Sequence, residues 1–519
     1  MTDPEEGPNG APETEFEAPT ILDRGRHRIS RRDIDADCLK VLYRLNAHGF
    51  TAYLVGGAVR DLMLGRKPAD FDVSTNAHPN QIKKLFRNAF LIGRRFRLAH
   101  VRFQGGKIIE VSTFRRKPDE EELAAEREEE AARAAEAARK DEDRAAAAEA
   151  QRAEDARETV EEEPLETDAA DGLTPIEPVP VEPVNTESRE LTDTPDALAA
   201  GPPPECAVPP AAGQRSGRLP LKPIAYGTPR EDAFRRDLTI NALFYDIATY
   251  SVIDYVGGLD DLEAGRIRII GDPDASYTED PVRIWRVLRH ASRLGFRIEE
   301  KTAEAIRRHS HRLDICSGSR LFEELNKDIK SGSVRPFFQA ARAHGILTRF
   351  LGNVGEIYQA SDNAFERLTF LLGALDTSIG SGGSPPPEVM FGLLLWPWAE
   401  PLLAAIQGDK PKVLYDAFRG ARATATVPKS LLLETVHTLA IVDHMLRALE
   451  DGKMRWVLRE RPHYPEASRI ASLLVEGTFG TCDDPFSVIY RSRFGTPPRP
   501  RPHRHRRRKK AVPPQPPPA

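Results

Sequence analysis

Two aspartates stand one residue apart in RKPADFDVSTN, Asp70 and Asp72, at the front of a run that reads as the start of a buried strand. Side chains alternate along an extended chain, so both carboxylates are expected on one face. Two like charges at that spacing repel unless something neutralises them. A hard divalent cation such as Mg²⁺ does so, because it takes oxygen ligands and keeps positions open for phosphates and water. The three-letter pattern alone suits an exposed turn equally well, so the surroundings decide. Upstream, Gly56 and Gly57 separate the apolar AYLV from the helix-like AVRDLMLG. That is the geometry in which backbone N–H groups hold phosphate, and Arg60, one turn later, adds a charge for the same anion.

A second cluster lies in YTEDPVRIWRVLRHASRLGF, where Ile284, Val287, Leu288, Ala291 and Leu294 predict one apolar face of a helix. Asp280 and Arg283 are three apart and therefore neighbours near its start. A carboxylate and a guanidinium held together present acceptor and donor edges to a nucleobase, and Arg286 and Arg289 extend along the helix to meet phosphate. The plainer alternative is that Asp280 caps a helix whose first position is Pro281, with the arginines solvated. In RRDLTINALF, Leu238, Ile240 and Leu243 half-bury an element that begins at Asp237. Glu110, in IIEVSTF, sits between apolar neighbours on a strand and is suited to face Asp70 and Asp72.

These residues need elements to hold them. CLKVLYRLNAHGF has a helical period ended by Gly49, PNQIKKLF places Pro79 in a first helical turn, and AFLI, AHVRF and KIIEVSTF are strand candidates. Strands alternating with helices argue for a small α/β sheet domain, whereas amphipathic helices dominate after Gly271. Between them, residues 117 to 224 change character: first helix formers without an apolar stripe, then a Pro-rich stretch. From Asp119 to Ala200 there are 28 acidic and 8 basic residues against a net charge of −5 for the whole chain, so the remainder is basic, as suits a surface that meets polyanions. The four cysteines form no C-x-x-C pair, which argues against a zinc site or a disulfide framework. No apolar run reaches 18 residues, so a cytoplasmic protein without membrane contact is expected.

LVGGAVRDLMLGRKPADFDVSTN resembles the nucleotidyltransferase head of the class II CCA-adding enzymes and bacterial poly(A) polymerases. GTPREDAFRRDLTINALFYD and YTEDPVRIWRVLRHASRLGF resemble that family's next two motifs, in the same order. The resemblance implies that the glycine pair and the aspartate pair bind a triphosphate and two Mg²⁺ ions, that Arg236 contacts the triphosphate, and that Asp237 supports the catalytic centre. It leaves Asp237 and Glu110 as alternatives for the third catalytic carboxylate, with Asp237 slightly preferred. FLIGRRFRLAHVRF resembles the segment that marks the poly(A) polymerases, and adds Arg94, Arg95 and Arg97 as RNA-binding candidates. The run Arg506, Arg507, Arg508, Lys509 and Lys510 in the basic tail is expected to bind RNA backbone without regard to sequence. Ala58 and Leu238 depart from residues common in the polymerase group.

The architecture expected is an α/β nucleotidyltransferase head, a small mixed sheet with helices, followed by all-α neck, body and tail domains. Residues 1–25 are expected to be disordered, 26–116 and 225–270 to form the head, and 117–224 a disordered insertion. Residues 271–335 would be the neck, 336–490 an RNA-binding body, and 491–519 a disordered tail. The activity implied is addition of AMP from ATP to RNA 3′ ends, with CCA addition to tRNA as the alternative and a non-catalytic RNA-binding adaptor a distant third. RNA 3′ ends are the implied partner, and RNA-decay machinery a candidate one.

Overall fold

Alternating apolar residues predict strands with one covered face, and the computed structural model forms them. It describes residues 18–93, 98–119, 225–454, 456–480 and 482–494, with scattered positions between 121 and 140. The strands of the head are β1 (Thr20–Leu22), β2 (Ala52–Val55), β3 (Asp72–Thr75), β4 (Ala89–Ile92), β5 (Leu98–Arg102), β6 (Ile108–Thr113), β7 (Arg115–Arg116), β8 (Ala225–Tyr226), β9 (Leu243–Asp246) and β10 (Ser251–Asp254). Eight of them make one sheet in the order β1, β10, β9, β2, β3, β6, β5, β4. Only β3 and β6 run parallel, and the other neighbours are antiparallel.

The register sorts the two faces. Leu54, Val73, Val111 and Ala99 pair in sequence across β2, β3, β6 and β5. All four are buried, on the face covered by the helices Ala36–Ala47 and Pro79–Leu85. The adjacent row, Ile253, Phe244, Val55, Asp72, Glu110, His100 and Phe90, points to the opposite face. At one end of that row Val55, Phe244 and Ile253 pack with Phe114 and with Ala233 of the helix Pro229–Phe234. At the other end Glu110 and Phe90 are exposed. Polar residues begin where the second covering layer stops.

The short pair β7 and β8 aligns Arg115 with Tyr226 and Arg116 with Ala225, so the chain leaves the head and returns to it at one point. Residues 119–223 form a separate unit, and most of the expected insertion lies outside the described residues. Two expected boundaries shift. Thr20–Leu22 pairs with β10 as an edge strand, so the N-terminal segment expected to be disordered to residue 25 is ordered from Thr20. β3 begins at Asp72, so Asp70 precedes the strand rather than belonging to it.

From Pro273 the chain is almost entirely helical, as expected. The helix Val282–Leu294 buries Ile284, Trp285, Val287 and Leu288. The Trp285 ring lies 5.0 Å from that of Phe337 and 4.7 Å from that of Phe350, which joins this helix to the helices Val334–Ala343 and Leu347–Leu351. Among the described residues no helix is long and apolar enough to cross a membrane.

Candidate active site

Gly56 has φ +72° and ψ −137°, a conformation that side-chain-bearing residues rarely adopt, and it turns β2 directly into the helix Gly57–Met63. The turn sits at the end of the strand paired with β3, which brings the glycines beside Asp72. A cavity of about 560 Å³ opens there, lined by Gly56, Gly57, Arg60, Asp70, Asp72 and Glu110 on one side. Arg235, Arg236, Asp237, Asp280, Arg283, Arg286, His290 and Arg293 complete it. Acids on the sheet thus face arginines from the Arg235–Asp237 segment and from the helix Val282–Leu294.

Glu110 lies directly opposite Asp72 on the parallel neighbour β6. Burial pushes the Asp72 carboxyl up to about 6, with Asp70 and Glu110 adding to the rise and Arg236 opposing it. This is the charge crowding that the spacing of the aspartates foreshadows. Asp237 is placed differently: it is buried, its Oδ1 accepts a hydrogen bond from the Leu238 amide at 2.9 Å, and its Oδ2 lies 2.9 Å from Arg286 Nε. Burial works against its charge, but Arg286 and the hydrogen bond from the Leu238 amide outweigh that and hold its carboxyl below the usual value.

Arg236 is fixed by groups that its local sequence does not advertise. Buried Asp232, four residues earlier on the helix Pro229–Phe234, accepts from its Nε at 3.2 Å and its Nη2 at 2.9 Å. Ser74 Oγ accepts from Nη2 at 3.3 Å, the Asn241 carbonyl accepts from Nη1 at 3.3 Å, and the guanidinium lies 5.3 Å from the Phe244 ring centroid. Arg60 is also held: Asn241 Oδ1 accepts from its Nη1 at 2.7 Å, Asp61 Oδ1 accepts from its Nε at 2.8 Å, and His290 Nδ1 is 3.3 Å away. Burial, with Arg60 second, keeps His290 neutral by lowering its pKa.

Asp280 and Arg283, the pair expected to read a nucleobase, both line the cavity and both have partners. Asp280 Oδ1 accepts from the Val282 amide at 3.2 Å and so caps the helix, while its Oδ2 accepts from Arg320 Nη2 at 2.7 Å. Arg283 Nη1 donates to Ser276 Oγ at 2.8 Å and to Glu279 Oε2 at 3.2 Å. One expected site residue is overturned: Arg289 does not reach the cavity. Asp328 Oδ1 accepts from its Nε at 2.7 Å, Glu324 pairs with its Nη1, and its side chain is 8% exposed. Residues 283, 286, 290 and 293 share the cavity face at spacings of three and four, whereas Arg289 follows Trp285 by four and shares its buried side. That periodicity is the signal that finds His290 and Arg293. Asp232, Asn241 and Arg320 carry no comparable one. Arg94, Arg95, Arg97 and residues 506–510 lie outside the described residues.

Comparison with known proteins places the chain as a whole. A family model described as the poly A polymerase head domain matches residues 52–159 and 205–268. One described as a probable RNA and SrmB-binding site of polymerase A matches 295–354. The poly(A) polymerase I of Salmonella typhi is 34% identical over 88% of this chain and 81% of its own. The CCA-adding enzyme of Bacillus pumilus is 28% identical over 56% of this chain and 50% or less of its own, at 49%. The crystal structure of the Bacillus stearothermophilus CCA-adding enzyme in complex with CTP shares the fold, with a TM-score of 0.50 at 18% identity over 88% of this chain and 81% of that one.

Proposed function

The chain belongs to the nucleotidyltransferase family of bacterial poly(A) polymerases and CCA-adding enzymes, and from that premise we propose that it adds AMP units from ATP to RNA 3′ ends without a template. The observation that carries the reading is Asp72 in register with Glu110, beside Asp70, facing an arginine-lined wall across one cavity. The choice of ATP and of general RNA follows the poly(A) polymerase relatives, which match along most of their length.

In the reaction the RNA 3′-oxygen attacks the α-phosphorus. A new P–O bond forms as the bond to the bridging oxygen breaks, the hydroxyl proton passes to solvent, and pyrophosphate leaves. Arg236, braced by Asp232 and Ser74, and Arg286, braced by Asp237, supply positive charge where the triphosphate carries negative charge. Gly56 and Gly57 leave the backbone open to the same phosphates. Asp280 and Arg283, held by Arg320 and by Ser276 and Glu279, present fixed edges to the base. Glu110 fits the third carboxylate better than Asp237, because Glu110 shares a face with Asp72 while Asp237 is buried against Arg286.

The sheet acids suit a hard divalent cation. They are oxygen donors, and burial together with the neighbouring acids already disfavours the bare charge on Asp72. Asp70, Asp72 and Glu110 are the residues that would hold Mg²⁺, which would supply positive charge to the transferring phosphate. The matched segment 295–354 supports an RNA grip beyond the cavity.

The CCA-adding relatives supply the second reading. Extension of a generic single-stranded RNA and of a tRNA lacking its terminal CCA, with each NTP separately and mixed, decides between them. Long A-only tails on both RNAs are expected. Addition of C, C and A that stops, confined to the tRNA, would overturn the poly(A) reading.

A further inference from the structure

The uncovered half of the sheet carries a row of side chains leading away from Asp72. Asp72 pairs with Glu110, Glu110 with His100, and His100 with Phe90. Directly paired residues on neighbouring strands share a face. At about 4.8 Å per strand the row runs ~14 Å from the catalytic acids to the edge strand β4. His100 Nε2 lies 3.3 Å from Glu110 Oε1, which ties the middle of the row together. At its end Phe90 is 51% exposed. Two cations lie over its ring, Lys83 Nζ at 5.0 Å and Arg102 Cζ at 5.5 Å from the centroid, and Lys83 also donates to the Ala89 carbonyl. An aromatic face between positive charges, continuous with the reacting centre, matches what single-stranded nucleic acid needs: a surface for a base and charges for the backbone.

We propose that this row is the acceptor track, along which the last nucleotides of the RNA lie, with the 3′-hydroxyl at Asp72 and Glu110 and an upstream base stacked on Phe90. Lys83 and Arg102 leave the ring as the base takes its face and meet the phosphates on either side of that base. The proposal rests on the RNA-extending activity proposed above and adds where the acceptor strand sits. Stacking on a ring is indifferent to base identity, which suits an enzyme that extends many 3′ ends.

The test uses the full chain, a generic single-stranded RNA, and the same RNA with 2-aminopurine two or three nucleotides from its 3′ end. Phe90→Ala is expected to raise KM for RNA by roughly fivefold or more, the lower end of what one lost base stack costs, while KM for ATP stays put. Phe90→Trp is expected to restore it. Binding should quench 2-aminopurine on the wild type and on Phe90→Trp but not on Phe90→Ala, a readout that a merely structural Phe90 would not move. Unchanged RNA KM and quenching in Phe90→Ala, beside a wild type that extends RNA, would overturn the track. So would a fall in RNA KM, which would mean that something other than RNA normally covers the ring. A wild type that extends no RNA would overturn the underlying activity instead.

Discussion

Arg286 and Arg289 sit three residues apart on one helix, yet their substitution should have opposite consequences. Arg289 is 8% exposed and pairs with Asp328, which is 2% exposed and also accepts from Trp285 Nε1. Arg289→Met leaves the Asp328 charge buried without its main partner, a loss of about 3–5 kcal/mol for broken buried pairs. At about 2–4 °C per kcal/mol for a domain of some 200 residues, that is a fall of roughly 6–20 °C in melting temperature. Arg286 is itself 44% exposed, but its partner Asp237 is buried and keeps only the Leu238 amide when the arginine is lost, so Arg286→Met should cost about 1–3 kcal/mol of stability, less than the loss at Arg289. Its loss should appear in catalysis, as a drop of ~10²-fold in kcat/KM for ATP when one charge aimed at the triphosphate is removed. Thermal melts and ATP titrations of both variants, at a temperature where each is folded, read the two effects separately. The double variant Arg289→Met/Asp328→Leu should recover most of the lost stability, because no charge is left buried alone. Arg289→Met that melts with the wild type but raises KM for ATP would refute the assignment of this helix's faces.

Asp72→Asn and Glu110→Gln should each lower RNA extension by at least ~10²-fold while filter binding shows RNA affinity retained. Because Asp72 titrates near 6, protons compete with Mg²⁺ there, and the half-saturating Mg²⁺ concentration should rise about tenfold per pH unit below that value and level off above it. Arg320→Met frees Asp280 from its ion pair, and should reduce the preference for ATP over CTP by roughly fivefold in single-nucleotide extension, with stability little changed at so exposed a pair. Burial pushes the Asp484 carboxyl up, but hydrogen bonds from the Ser487 amide at 3.2 Å, Ser468 Oγ at 3.0 Å and Tyr464 OH at 3.1 Å outweigh it and hold it below its ordinary 3.8. The stability it contributes is therefore complete above that value and is lost as the pH falls through the lower folded one, so the melting-temperature gap between wild type and Asp484→Asn should close on acidification.

Local periodicity carried much of the architecture. The helix Ala36–Ala47 ends beside Gly49, Pro79 opens its helix, and AFLI and KIIEVSTF become strands, because each pattern reflects burial along one element. The aspartate pair and the glycine pair were legible because their spacing is short. What required the structure was pairing at a distance. Glu110 and Asp237 look equivalent in isolation, and only the β3–β6 register sets Glu110 opposite Asp72. Asp232 holds Arg236 while its Oδ1 also accepts from the Arg115 amide at 3.2 Å, more than a hundred positions away along the chain, and Arg320 reaches Asp280 across forty. Arg289 was misplaced for a simpler reason: charge was allowed to outrank helical phase. Thr20–Leu22 was missed because three residues with one partner strand make too short a pattern to read.

The two-rung ladder of β7 and β8 has a consequence for the head's tolerance of change. It brings together the two points between which a 105-residue unit, residues 119–223, is inserted, so that unit closes a loop on the head. The entropy of closing a loop grows only logarithmically with its length, about 0.6 kcal/mol per doubling. Lengthening or shortening this loop several-fold therefore shifts the head's stability by only about 1–3 kcal/mol. The unit can drift in length and composition under whatever selection acts on it alone, and a short turn joining Arg116 to Ala225 is a graft point where foreign sequence can be exchanged without redesigning the fold.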